Sequence, residues 1–376
     1  MATTQHPHKR PVTLWLAGDV MTGRGIDQVQ PHPVDPLLYE PVVRDAREYV
    51  RLAEAENGPV PAPVGPAYVW GEALDLIAQR HPHLRLANLE TAITAYGQPW
   101  PGKTVHYRMD PRHIGCLTAA GLDACALANN HVLDWGEEGL GTTLATLQAA
   151  GIRSAGAGLD AEAALAPAVL PLPGGGRLLV FAWAGPDSGV PPDWAARRHR
   201  PGIAFLPDWG EPAADTMAAQ VARMRQPGDR VVVSLHWGSN WGMRVPDEHQ
   251  RCARRLIDRG AADIVFGHSS HHPRPVELYR GHLILYGCGD LINDYEGIGP
   301  EGLFDPSAVC LYFADLDAAD GRLRRLEIVP MRLRRLQLVQ ADARTRQALG
   351  GLLVPYSAAL GTRLLPQPGG SLLLQA

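Results

Sequence analysis

The strongest constraint on this chain is a series of short, unbroken apolar runs, most of them closed by a polar residue. They fall at residues 13–17, 84–87, 124–128, 178–183, 231–235, 263–266, 283–286 and 308–314. Each is of strand length and continuous rather than alternating, the pattern of strands covered on both faces. Between them, residues 140–150 and 250–259 have helical spacing, with Leu140, Leu144 and Leu147 in the first and Leu256 and Ile257 in the second. Strands alternating with helices predict an α/β protein. With 376 residues, 45% of them hydrophobic, the chain has material for a sizeable core.

Other segments depart from that pattern. Residues 30–66 are proline-rich around a helix-like middle at 42–56, and read as an insertion over the scaffold, either a lid or a surface excursion. Residues 322–340 alternate apolar and basic side chains, as the solvated face of edge strands does. The formal charge of -4 gives no global basic field, so no nucleic-acid partner is expected. The region 315–376 is expected to hold C-terminal strands and a tail. No apolar stretch is long enough for a membrane span, and the first residues read as polar, without an export signal. Five cysteines (Cys116, Cys125, Cys252, Cys288, Cys310) without a C-x-x-C pair read as reduced thiols, so a cytoplasmic location is expected.

The chemistry lies in the polar residues that close the runs. The first leads to Gly18-Asp19, the second to Asn88-Leu89-Glu90, the third to Asn129-Asn130-His131 with Asp134 close behind. His236-Trp237-Gly238 comes after 231–235, and Gly267-His268-Ser269-Ser270-His271-His272 after 263–266. Ligands of α/β sheets collect at the carboxyl ends of strands. Singly, each residue has a plain explanation: Asp after a strand caps a helix, and Asn or His completes a turn. Five coincident ends are what a shared metal site needs. Oxygen and imidazole donors without thiolate suit one or two divalent transition metal ions (Mn, Fe or Zn). Two cations ~3.5–4 Å apart would acidify a water and polarise a carbonyl or phosphoryl oxygen. His131, oriented by Asp134, would serve as general acid, and a helix N-cap is the other role open to Asp134.

Further candidates surround these ends. Trp237, Asn240 and Trp241 either line a pocket or sit in a buried turn. Lys103, His106, Tyr107 and Arg108 form a polar cluster that is either a plain loop or a site where Lys103 and Arg108, with Arg24, bind a substrate carboxylate or other anion. Asp290 and Asp294 are either outer partners of the histidines or turn residues.

In order along the chain, Gly18-Asp19-Val20-Met21, Asn88-Leu89-Glu90, Asn129-Asn130-His131, His236-Trp237-Gly238 and Gly267-His268 through His271 resemble the CapA family. This is the poly-gamma-glutamate capsule biosynthesis branch of the calcineurin-like metallophosphoesterases. The resemblance implies one domain over residues 1–376, with a calcineurin-like metallophosphoesterase fold: a two-sheet β-sandwich flanked by helices, metals at one edge. It implies that Asp19 binds the first metal, Glu90 bridges both, and Asn130 and His236 bind the second. His268 and His271 would complete the shells, with His272 the alternative to His271, and His131, Asp134 and His271 would be the catalytic residues. Met21 stands where general members of the superfamily carry a metal-binding His, and Glu90 replaces an Asp, so the first metal is poorer in ligands. The implied activity is hydrolysis of an amide, peptide-like or phosphoester bond in a small-molecule or peptide substrate by a metal-activated water, with His131 as acid/base. Two alternatives share the site: a metal-dependent peptide epimerase of a ribosomal-peptide pathway, and a non-catalytic accessory subunit of polymer biosynthesis.

Overall fold

Two large sheets form the frame of the protein in a computed structural model that describes residues 11–299 and 302–376. One side of the first, ten-stranded sheet is made of four parallel neighbours, Val12–Val20, Leu84–Leu89, Ala124–Ala126 and, at the edge, Arg153–Ala155. On the other side of Val12–Val20 lie the antiparallel strands Ala308–Leu316 and Leu323–Arg334. The short strand Asp290–Ile292 pairs in parallel with the end of Val12–Val20 and sets Asp290 opposite Asp19. The second sheet has six strands in the order Val276–Tyr279, His282–Leu285, Ile264–His268, Arg230–His236, Arg177–Ala184, Ala168–Pro171, and its middle four are parallel.

Each of the eight apolar runs overlies a strand, and the reason for their continuity is visible in Arg177–Ala184. Leu178, Val180 and Ala182 enter the core shared with Leu14, Leu16 and Leu86 of the first sheet. Leu179, Phe181 and Trp183 point the other way, into a second core completed by Met217, Val221, Leu256 and Ile257. Those last four side chains come from the helices Glu211–Met224 and Asp247–Asp258. A strand with both faces covered has no polar positions to alternate. The result is a mixed α/β architecture in which two sheets share one core and helices cover the second sheet.

Three expectations need correction or refinement. Leu323–Arg334 is an interior strand, flanked by Ala308–Leu316 on one side and by Gln337–Gln340 and Leu372–Gln375 on the other. Its alternation is that of a one-sided strand: Leu326, Ile328, Met331 and Leu333 are buried, while Arg324 and Arg325 pair with Asp317 and Glu327. The C-terminal region carries a 17-residue helix, Ala343–Ala359, as well as strands. Gly350, Gly351 and Pro355 hide it in the sequence, but Asp342 caps it through the Thr345 amide, and Leu349 and Leu353 anchor it in the first core. The insertion holds the helix Arg47–Asn57, which begins later than its pattern suggests and packs Tyr49 against Leu38 and Ala46. No helix among the described residues is long and apolar enough to cross a membrane, and all five cysteines are buried and unpaired.

Candidate metal centre

Parallel strands of both sheets end at a common edge. Asp19 lies near the end of Val12–Val20, Glu90 comes immediately after Leu84–Leu89, and His236 and His268 end adjacent strands as register partners. A carboxylate oxygen of Asp19, one of Glu90 and a ring nitrogen of His236 all lie within 4.8 Å of one another, and the three residues are buried. Asn130 places Oδ1 3.0 Å from His236 Nε2, which is 3.7 Å from Glu90 Oε1. His268 brings Nδ1 to 3.1 Å from Asp19 Oδ1.

The hydrogen bonding of this group is incomplete in an informative way. Neither nitrogen of the buried His268 ring has a hydrogen-bond partner among the described residues, since its approach to Asp19 is misaligned. The Glu90 carboxylate, 3% exposed as a residue, accepts no hydrogen bond among those described. Burial, with Asp19 and Asp290 close by, pushes the Glu90 carboxyl well above the usual carboxylate range. Burial would raise Asp19 too, but the His268 and His236 rings and the Asn88 amide bring it below its ordinary value. A buried polar group without a partner costs about 1–3 kcal/mol, and more when charged. Carboxylate and amide oxygens with imidazole nitrogens, crowded together and short of partners, fit one or two divalent transition metal ions.

Around these atoms the loops are held by hydrogen bonds. Asn88 Nδ2 donates to Asp19 Oδ1 at 2.8 Å, and the Ser269 amide donates to Asp19 Oδ2 at 3.1 Å. Asn129 is a turn residue, its Oδ1 accepting from the amides of His131 and Val132, which leaves Asn130 to face the centre.

His131 donates from Nδ1 to Asp134 Oδ2 at 2.6 Å and stacks on Tyr107, ring centroids 3.8 Å apart. Asp134 also receives Lys103 Nζ at 2.5 Å and the Tyr107 amide at 2.7 Å, so it orients the histidine and makes no side-chain cap to the helix Gly136–Ala149. Burial pushes the His131 pKa down to about 4 against the pull of Asp134, so the ring is neutral at pH 7 with Nε2 as its free nitrogen. His271 points Nδ1 at both oxygens of Asp290, 3.0 and 3.1 Å away, an arrangement that fixes an imidazole and raises its basicity. His272 is committed elsewhere, with Nε2 accepting from the Gly242 amide, Nδ1 against the Pro273 carbonyl, and the ring stacked on Phe304.

The residues expected to meet substrate divide sharply. Trp237 does not line the centre: it is fully buried, stacks on His249 and donates to the Tyr286 carbonyl, because the chain turns its side chain into the helix-covered core. Arg24 is taken up by Asp294 and Glu40, so Asp294 partners an arginine rather than a histidine. Lys103 is bound to Asp134 and the Asn130 carbonyl. Arg108 lies over the Trp135 ring with no ion pair among those described. Trp241 approaches the His271 ring at 5.4 Å. Two residues of the site carry no assignment from sequence. Tyr295 hydrogen-bonds Tyr107 at 2.7 Å and stands edge-on to His271, and Glu40 reaches in from the insertion. Asn88 belongs to the Asn88-Leu89-Glu90 motif, and its strand-end position is the available signal; Glu40, in a proline-rich loop, offers none.

A family model for the bacterial capsule synthesis protein PGA_cap matches residues 13–295. This chain belongs to that family, the CapA family. The match takes in every strand end of the centre and stops before the long antiparallel strands and the C-terminal helix. A Mycobacterium tuberculosis relative named "probable polyglutamine synthesis accessory protein" is 47% identical over 358 residues, 95% of this chain and 94% of its own. The PGA biosynthesis protein CapA of Bacillus subtilis is 27% identical over 192 residues, 51% of this chain and 48% of its own. The capsule biosynthesis protein CapA of Bacillus anthracis is 22% identical over 298 residues, 78% and 62%.

Proposed function

We propose that this CapA-family protein is a metal-dependent hydrolase on a calcineurin-like scaffold, acting on amide bonds of a glutamyl polymer or peptide during its synthesis. The observation that supports this most is the convergence of Asp19, Glu90 and His236 within 4.8 Å beside a buried His268 ring that makes no hydrogen bond among the described residues. Asp19, Glu90, Asn130, His236 and His268 would hold one or two divalent ions, with His271 beside them on Asp290. Such ions, when bound, supply Lewis acidity toward a carbonyl oxygen and toward water. The protein supplies the proton traffic. His131, neutral and fixed through Nδ1 to Asp134, accepts a proton at Nε2 from the attacking water and returns it to the departing nitrogen. Burial of the centre keeps bulk water from competing for these hydrogen bonds.

The test is turnover of glutamyl peptides by protein reloaded with Mn or Zn after chelation, followed by mass in deuterated water. Cleavage that disappears with chelator and in His131→Ala is expected. Solvent deuterium at an α-carbon with no cleavage would show epimerisation and contradict hydrolysis. The names of the Mycobacterium tuberculosis and Bacillus relatives favour a second reading, an accessory protein of polymer synthesis. Under that reading His131→Ala would restore polymer production in a deletion strain as well as the wild type does; under hydrolysis it would not.

A further inference from the structure

Ser269 is the first residue after the strand Ile264–His268, and its backbone lies in the left-handed region, with φ at 86°. A side chain disfavours that region, and a residue stays there only where its surroundings over-determine it. His81 closes a helix, and Arg280, Arg335 and Leu336 sit between paired antiparallel strands, places where such a backbone is ordinary. Ser269, 3% exposed, does neither.

Two hydrogen bonds hold it. Its N–H donates to Asp19 Oδ2 at 3.1 Å, and its Oγ donates to the Gly238 carbonyl at 2.9 Å. Gly238 is fixed in its turn. Its φ is 79°, and a Cβ there would stand 2.9 Å from Arg274 Nη1, so only glycine fits. Arg274, 2% exposed, holds the next carbonyl, that of Ser239, through Nη2 at 2.7 Å. Ser269 therefore joins a loop start pinned by a buried arginine to the carboxylate of Asp19. From the opposite side, Asn88 Nδ2 donates to Asp19 Oδ1 at 2.8 Å. One donor on each oxygen fixes the plane of the carboxylate and leaves each oxygen with acceptor capacity. Glycine at 269 would take this backbone without strain, but it has no hydroxyl for Gly238.

We propose that Ser269 is a positioning residue of the metal centre: its hydroxyl clamps a strained backbone to Gly238, so that its amide holds Asp19 in the orientation that receives an ion. The inference deepens the hydrolase reading and rests on it for the presence of the ion, not for the reaction.

The test measures uptake of Mn and Zn by the chelated full-length protein, and its melting temperature in chelator, for wild type, Ser269→Gly and Ser269→Ala. Both variants lose the hydroxyl, and only Ser269→Gly escapes the strain. Uptake should weaken by about tenfold or more in both, the scale for groups that orient a metal ligand, while Ser269→Gly melts above Ser269→Ala. A serine that served stability alone would make uptake follow melting temperature. Uptake by Ser269→Gly within a few-fold of wild type would therefore overturn the proposal, whether or not Ser269→Ala folds. No uptake by wild type would overturn it together with the hydrolase reading. Weakened uptake in both variants, with no cleavage of glutamyl peptides by the loaded wild type, would contradict the hydrolase reading alone and uphold the role of Ser269.

Discussion

His236 and Trp237 are adjacent in sequence and belong to two different worlds. On the side of His236, Glu90 accepts no hydrogen bond and His268 makes none among the described residues. On the side of Trp237, Asp187 accepts three: from the Gly238 amide at 2.8 Å, from His249 Nε2 at 2.9 Å and from Trp209 Nε1 at 2.8 Å. Both regions hold carboxylate, imidazole and aromatic side chains in close quarters. The difference lies in the carboxylates: Asp187, its side chain 33% exposed, has three protein donors although His249 Nδ1 beside it has no partner, whereas the buried Glu90 has no donor among those described. Composition cannot distinguish them; hydrogen-bond satisfaction can, because a buried carboxylate that the fold leaves unpartnered is tolerated only where something else completes it.

The contrast can be broken by substitution. The largest effect is expected on turnover: His131→Ala should lower kcat by about 10²- to 10⁴-fold, the usual contribution of a positioned acid/base, with bound metal unchanged by elemental analysis. Next comes Asp187→Ala, which takes the acceptor from three donors; because that side chain is 33% exposed, water replaces part of the loss and the protein should be destabilised by about 1–2 kcal/mol in urea unfolding while metal stays bound. Glu90→Gln should have the opposite sign in the metal-free protein. It removes a buried carboxylate that no donor stabilises, so with chelator present the variant should be more stable than wild type by about 1–2 kcal/mol. A loss of stability there would mean Glu90 is structural.

The smallest effect is on pH dependence. Burial lowers the pKa of His131 to about 4 and that of His236 to about 3, whereas in the unfolded chain both titrate near 6.5. The unfolded state then binds more protons below pH 6.5, so their contribution to the stability of the metal-free protein is full above that pH and falls as pH drops toward 4. Glu90, raised by burial, acts in the reverse sense, losing stability as pH rises through its folded value. His131→Gln should flatten the acid side of the stability profile, read by thermal melts in chelator; an unchanged slope would count against a neutral buried ring.

Much of this is legible in the residues. Strands buried on both faces betray themselves as unbroken apolar runs, and Asp19, Glu90, Asn130, His236 and His268 stand out because strand ends converge in parallel sheets. The illegible part depends on where a side chain turns. Trp237 follows a proposed ligand yet enters the opposite core, a matter of one residue of strand alternation. Asp290 belongs beside His271 because a three-residue strand pairs with Val12–Val20, which no local pattern announces. Arg24 looks like a free anion binder in sequence, but its partners Glu40 and Asp294 lie 16 and 270 residues away. The helix Ala343–Ala359 is masked by its own glycines and proline, since tertiary contacts override weak propensity.

The central claim is that the unpartnered side of His236 is a metal site, and equilibrium titration of the chelated protein with Mn and Zn tests it most directly. Wild type should take up one or two ions. His268→Ala and Glu90→Gln should each weaken uptake by about tenfold or more, while Asp187→Ala, its neighbour across Trp237, should bind within a few-fold of wild type. Uptake by wild type that His268→Ala and Glu90→Gln leave undiminished, or no uptake at all, would contradict it.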